Sequence, residues 1–224
     1  MSDISIAKLI QGYKKFYRKY TGQEYSDYRK AAALGQEPKI MVIACSDSRV
    51  NPSKIMQSNL GEVFQVRNVA NMVPPYRPDK GHHHSTSSAL EFAVGTLNVE
   101  HIIVMGHSGC GGIKSLIDGA PVALDGEYSF ISQWVNIIAQ AKKKVSALPR
   151  QEQYHACELE ALKISLKNLL SFPWIAERVK QGSLSIHAWH FDIASGMMMA
   201  YDEASDSFSP VIEDNGAASA RRNS

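Results

Sequence analysis

The chain has 224 residues, and its 24 Lys and Arg against 22 Asp and Glu give a formal net charge of +2. Because the charges nearly balance, we do not expect nucleic acid as a partner. No apolar run approaches the roughly 18 residues of a membrane span, so we do not expect a membrane as a partner either. The 3 cysteines are an odd number and argue against a disulfide framework, and the first residues lack a secretory signal pattern, so we expect a cytoplasmic protein.

Residues 1–35 are predicted to form an N-terminal helical arm. A weaker helical pattern covers Ser26 to Leu34, and a stronger amphipathic one covers residues 3–19. The apolar face of the stronger helix needs a surface to cover, either its own domain or a neighbouring subunit. Its apolar and aromatic side chains are Ile4, Ile6, Leu9, Ile10, Tyr13, Phe16 and Tyr17.

A buried strand followed by reactive side chains lies at residues 39–50, KIMVIACSDSRV. The segment up to Ala44 is mostly apolar and β-prone, as in a strand covered on both faces. Cys45, Asp47 and Arg49 then follow at alternate positions, where open α/β sheets bind their ligands. Taken alone, this segment also fits a helix cap with a buried cysteine.

A second strand of the same design, HIIVMG at 101–106, ends in a glycine-rich turn that carries His107 and Cys110. These two side chains can face one centre because glycine lets the backbone fold tightly. Together with Cys45 they supply two thiolates and one imidazole, a zinc set that leaves one position open, as catalytic zinc sites do. We therefore predict one Zn²⁺ per chain, and we assign Cys157, which lies alone in a predicted helix, to packing.

The remaining pattern predicts an α/β domain at residues 36–204. Glu62 to Asn68 reads as another strand, and helical segments separate the strands. Residues 183–192 and 197–203 are predicted to pair as a hairpin, which adds an antiparallel edge strand. The C-terminal tail, residues 205–224, is predicted to be loose.

Three segments resemble the signature of the β-class carbonic anhydrases: CSDSRV at 45–50, VRNVAN at 66–71 and GHSGCGG at 106–112. The resemblance implies zinc-dependent reversible hydration of carbon dioxide to bicarbonate and a proton, by attack of zinc-bound hydroxide. It also implies an α/β fold with a four-stranded parallel sheet and an antiparallel edge strand, flanked by helices. A homodimer or a higher homo-oligomer is the implied working unit.

The resemblance also implies roles for individual residues. The zinc ligands are Cys45, His107 and Cys110, the same three that follow from spacing. Asp47 and Arg49 match the family's catalytic pair, in which the carboxylate orients hydroxide and the arginine keeps that carboxylate off the metal. Gln36 matches a residue that reaches substrate in the partner's active site, and the other matches to substrate-binding positions are Phe64, Val69, Phe92 and Gly111.

Two positions make the chain resemble the plant-type, unregulated branch of this family. Bicarbonate-regulated bacterial members carry Trp and Tyr where this sequence has Val42 and Phe191, although their third regulatory residue is present as Arg67. Since Val42 and Phe191 offer no side-chain donor to a bound anion, we expect no closure of the site by bicarbonate.

Two other functions remain open from the sequence. A hydrolase acting on carbon disulfide or carbonyl sulfide, built on the same fold, would have an identical zinc set. A non-catalytic structural zinc protein would need a fourth protein ligand, for which Asp47 is the nearby candidate.

Overall fold

Six strands lie in the part of the chain that the computed structural model describes, residues 5–22, 26–78, 84–119 and 129–212. The strands form one sheet in which four are parallel, with two antiparallel strands added at one edge. They are β1 (Ile40–Cys45), β2 (Val63–Asn68), β3 (His101–His107), β4 (Ser185–Phe191), β5 (Met198–Asp202) and β6 (Ser207–Pro210), and the spatial order is β2-β1-β3-β4-β5-β6.

Helices precede, connect and flank these strands. Within the described ranges they are α1 (Ile6–Thr21), α2 (Ser26–Leu34), α3 (Pro52–Ile55), α4 (Ser85–Glu91), α5 (Gly111–Asp118), α6 (Phe130–Val135), α7 (Ala139–Val145), α8 (Arg150–Leu169) and α9 (Pro173–Lys180). A 3₁₀ turn, Val69–Asn71, follows β2 directly. None of the described helices is both long and apolar enough to cross a membrane.

β1 lies between β2 and β3 and is covered on both faces, as its continuous apolar sequence predicts. Because side chains alternate along a strand, Met41 and Ile43 pack in one core with Leu162 of α8, whereas Val42 and Ala44 belong to the core on the other face. β1 and β3 are parallel neighbours, so their carboxyl ends lie at the same edge of the sheet.

The predicted four-stranded parallel sheet and the β4–β5 hairpin are confirmed. The prediction of a loose tail from Ser205 is wrong for residues 207–210, because they form β6 and extend the edge by a second antiparallel strand. Tyr201 and Phe208 are directly opposite across β5 and β6, with ring centroids 5.1 Å apart. Such cross-strand aromatic pairs stabilise a sheet edge. Residues 213–224 of the predicted tail lie outside the described ranges.

The predicted amphipathic helix is present as α1, and the described part of this chain does not bury its apolar face. No residue of α1 is buried, although Ser5 caps its first turn through the Lys8 N–H. The exposed apolar side chains, between 48% and 73% accessible, are Ile6, Leu9, Ile10, Tyr13 and Tyr17.

Candidate metal centre

The three predicted zinc ligands come together at the carboxyl ends of two neighbouring strands. Cys45 is the last residue of β1, His107 is the last of β3, and Cys110 immediately precedes α5. Their ligand atoms all lie within 4.8 Å of one another, and the two sulfurs are 4.0 Å apart. All three side chains are buried, with accessibilities of 5% or less. This arrangement is compact enough for the three side chains to share one ion.

The chemistry of these three side chains fits a zinc ion. Nδ1 of His107 lies 3.0 Å from the Ser108 carbonyl and donates to it, so the lone pair of Nε2 is available as a ligand. That Nε2 atom is buried and has no hydrogen-bond partner among the described residues, a costly arrangement for a polar atom that metal ligation would resolve. The contact between the two sulfurs lowers the pKa of the Cys45 thiol and raises the pKa of the Cys110 thiol.

One backbone N–H group from the turn after β2 supports the Cys45 sulfur. Ala70 N donates to Cys45 Sγ at 3.3 Å, and Ala70 has a φ of +61°, uncommon for a residue with a side chain. Asn68 holds this turn, because its side chain accepts from Met72 N and donates to Met72 O, each at 2.9 Å. Such donors stabilise a thiolate and favour a metal-binding sulfur.

Asp47 and Arg49 form a two-point ion pair beside the ligands. Arg49 Nε donates to Oδ1 at 3.0 Å and Nη2 donates to Oδ2 at 2.7 Å, and Nη2 also donates to Gly109 O at 3.0 Å. This guanidinium holds the pKa of the Asp47 carboxyl well below its usual range. Asp47 Oδ2 lies 3.9 Å from His107 Nε2, so a fixed carboxylate faces the ligand cluster.

Arg67 supports the loop after β1 in a way that the motif alone did not reveal. Its guanidinium donates to three backbone carbonyls, those of Cys45 at 3.0 Å, Asp47 at 2.7 Å and Val50 at 2.5 Å. The loop that carries Cys45 and Asp47 is therefore held by a charged group on β2. The sequence predicts that Arg67 lies in a strand next to β1. It does not predict which backbone carbonyls accept hydrogen bonds from the guanidinium.

The residues predicted to line a substrate pocket lie in different places. Val69 is 41% accessible and borders a cleft of about 890 Å³ that Arg67 and Trp134 also line. Neither Phe64 nor Phe92 lines this cleft. Their rings pack against each other, with centroids 5.9 Å apart. The structure of the single chain therefore places Val69, but not the two aromatic residues, at this opening.

Gln36 and Gly111 also differ in their relation to the metal centre. Gly111 begins α5 directly after Cys110, and the N–H groups that contact the Cys110 sulfur belong to the next two residues, Gly112 and Ile113. Gln36 is exposed in the loop before β1. The metal ligands lie at the opposite end of β1, a strand about 16 Å long. Gln36 therefore does not reach the metal centre of its own chain.

Known proteins resemble this chain over most of its length. A family model described as carbonic anhydrase matches residues 40–198. Beta carbonic anhydrase 3 of Arabidopsis thaliana is 46% identical over 168 residues, 73% of this chain and 64% of that protein. Beta carbonic anhydrase 5, chloroplastic, from the same plant is 41% identical over 181 residues, 79% of this chain and 58% of that protein. The chain thus spans about three fifths of the length of these two relatives.

Solved structures share the fold described above. The β-carbonic anhydrase CcaA is 33% identical and superimposes with a TM-score of 0.82, covering 92% of this chain and 98% of that one. A tetrameric β-carbonic anhydrase from Sordaria macrospora is 26% identical, with a TM-score of 0.71 over 87% of this chain and 94% of that one. The family match includes both ligand-bearing turns and most of the sheet, and the chain therefore belongs to the β-class carbonic anhydrases.

Proposed function

We propose that this chain catalyses the reversible hydration of carbon dioxide to bicarbonate and a proton, with one zinc ion held by Cys45, His107 and Cys110. The observation that carries the proposal is the pair formed by Asp47 and Arg49. A carboxylate held by both oxygens, 3.9 Å from a ligand nitrogen, is suited to direct a nucleophile rather than to complete a structural site.

The ligand set is suited to a catalytic metal. When bound, the zinc ion supplies a Lewis acid that lowers the pKa of water to near neutrality. His107 offers Nε2 to the metal because Ser108 fixes the proton on Nδ1. Cys45 and Cys110 offer sulfurs that already accept backbone N–H groups. Only three protein side chains form the cluster among the described residues, which leaves a coordination position for chemistry.

Asp47 acts by accepting a hydrogen bond from the attacking oxygen, so that a lone pair of that oxygen points at carbon. Arg49 keeps Asp47 ionised and fixed in direction through its two-point contact. Its further bond to Gly109 O ties the pair to the turn that carries His107 and Cys110. The Asp47 carboxylate and the turn that carries two of the metal ligands are thereby held in a fixed relative position.

The proposed pocket and the proposed homodimer depend on each other. The substrate-binding roles of Gln36, Phe64, Val69, Phe92 and Gly111 are all assigned through the family pattern. Gly111 directly follows Cys110, and Val69 directly precedes Ala70, whose N–H donates to Cys45 Sγ. Gln36 lies at the far end of β1, so its role requires a partner subunit. The exposed apolar face of α1 supports such an association, and the similar Sordaria macrospora enzyme is tetrameric.

The proposal that a homodimer is the smallest active unit can be tested directly. Removal of residues 1–22 should lower both the molar mass measured by light scattering and the specific activity. A variant Gln36→Ala should lower activity while the mass stays unchanged. A fully active monomer would rule out the shared site.

A cytoplasmic location is also part of the proposal. All three cysteines are free, as expected in a reducing compartment. One similar plant protein is named as chloroplastic, so localisation of a tagged chain in its own cells is the appropriate test.

The activity itself is tested by two assays on the same zinc-loaded protein. We expect carbon dioxide hydration in stopped-flow measurements and little hydrolysis of carbon disulfide. His107→Ala should lose zinc and activity together, whereas the matched Cys157→Ala variant should keep both, because Cys157 is not among the three side chains that form the ligand cluster. Carbon disulfide hydrolysis without hydration would assign the chain to the alternative hydrolase, and a zinc-loaded protein without either activity would favour a structural metal.

A further inference from the structure

A second group of potential metal ligands lies between α8 and β4. His155 and Glu158 are three residues apart on α8, a spacing that brings side chains to the same face of a helix. His190 on β4 packs against them, and the rings of His155 and His190 are 5.1 Å apart in an edge-to-face arrangement. The proposed hydration mechanism uses none of these three side chains.

The distances between these ligand atoms are close to those that a small divalent ion imposes. Ligands about 2.1 Å from a tetrahedral ion lie about 3.4 Å from one another. Glu158 Oε2 lies 3.1 Å from His190 Nε2 and 3.6 Å from His155 Nδ1. All three ligand atoms lie within 4.8 Å of each other. The His155 side chain is 64% exposed, so its ring has room to rotate toward the other two ligand atoms.

Two of the three side chains are already buried and fixed. Side-chain accessibility is 4% for Glu158 and 1% for His190. A carboxylate is seldom buried unless it is paired, and here His190 Nε2 lies 3.1 Å from Glu158 Oε2, where it can donate a proton to the carboxylate. An ion in place of that proton would keep the carboxylate paired, and exposed His155 would provide the path for the ion from solvent.

We propose that His155, Glu158 and His190 form a second binding site for a divalent transition metal such as zinc or cobalt. Two imidazoles and one carboxylate are a recurrent ligand set for these ions, with water completing the coordination. The site shares no ligand with the Cys45–His107–Cys110 cluster and contains no sulfur. It adjoins that cluster, because the second oxygen of Glu158 accepts from Cys110 N at 3.1 Å.

The test starts from protein that already holds one equivalent of zinc. Titration with zinc chloride, followed by calorimetry, should show one further equivalent per chain. With cobalt chloride, the additional equivalent should give visible d–d bands without thiolate-to-cobalt charge transfer, because the site lacks sulfur. His155→Ala should weaken this binding by about tenfold or more, since even the loss of an outer-shell partner costs that much. His155 is exposed, so this variant should fold normally.

Two matched variants distinguish this site from other histidines. His187→Ala removes a ring that lies 3.4 Å from His101, and it should leave the second equivalent intact. A variant in which His82 and His83 are both Ala tests the histidine run at 82–84, and it should also retain the second equivalent. The proposal is wrong if zinc-loaded protein takes up no further ion, if His155→Ala binds it as tightly as the parent, or if the His82 and His83 variant loses it.

Discussion

A methyl group at Gly112 should disturb the contact between the two turns that support the metal ligands. A Cβ at this position would lie 2.8 Å from Ala70 Cβ and 2.9 Å from Val69 Cγ1. Carbon atoms in contact normally lie about 3.5 Å apart or more, so Gly112→Ala requires the turns to separate by about 0.7 Å. Ala70 resists this movement because its φ of +61° is already uncommon and its N–H donates to Cys45 Sγ.

The cost of this overpacking should be about 1–3 kcal/mol. For a chain of this size, each kcal/mol lowers the thermal midpoint by about 2–4 °C, so we expect a fall of about 2–12 °C. Displacement of Ala70 also lengthens its hydrogen bond to Cys45, so zinc should leave faster when a chelator is added. Thermal unfolding and a coloured zinc chelator measure these two effects at one protein concentration.

Gly111→Ala is the matched control, because a Cβ there would meet no described atom within 4 Å. The added methyl should leave the midpoint unchanged or raise it slightly, since alanine favours a helix over glycine by about 1 kcal/mol. Equal midpoints and equal rates of zinc loss in the two variants would refute the argument from packing.

Three further predictions concern residues around the metal centre. Arg67→Gln should lower the free energy of unfolding in urea by on the order of 3 kcal/mol, because three carbonyls lose a charged donor; a midpoint equal to that of the parent would contradict this. Arg49→Ala should keep its zinc but lose nearly all hydration activity, because Asp47 is then free to bind the metal, and the double variant with Asp47→Ala should restore an exchangeable water. A crystal structure of zinc-loaded Arg49→Ala with Asp47 away from the metal would argue against this. Burial raises the pKa of Cys157 to about 12, so this thiol stays protonated at pH 8. It should not react with a disulfide reagent until the chain unfolds, and rapid labelling of the native protein would disprove this prediction.

The convergence of Cys45, His107 and Cys110 could be predicted from local sequence patterns. Each ligand segment follows a run of apolar residues long enough for a buried strand, and parallel strands end at the same edge of a sheet. The pairing of Asp47 with Arg49 is also local, since the two residues are separated by a single position. These features depend on strand identity and short turns, which periodicity and residue type indicate directly.

Other contacts were decided only when distant parts of the chain met. Glu158 accepts from the N–H of Cys110, which lies 48 positions away in the sequence. The N–H of Ala70 donates to the Cys45 sulfur, 25 positions away. β6 pairs with the open edge of β5. A glutamate on a helix or an arginine on a strand is equally compatible with solvent. The carbonyl, amide or sulfur that it contacts depends on how the sheet and helices pack, because a hydrogen bond requires two groups to approach within about 3 Å. Local patterns along the chain do not determine distances of that kind.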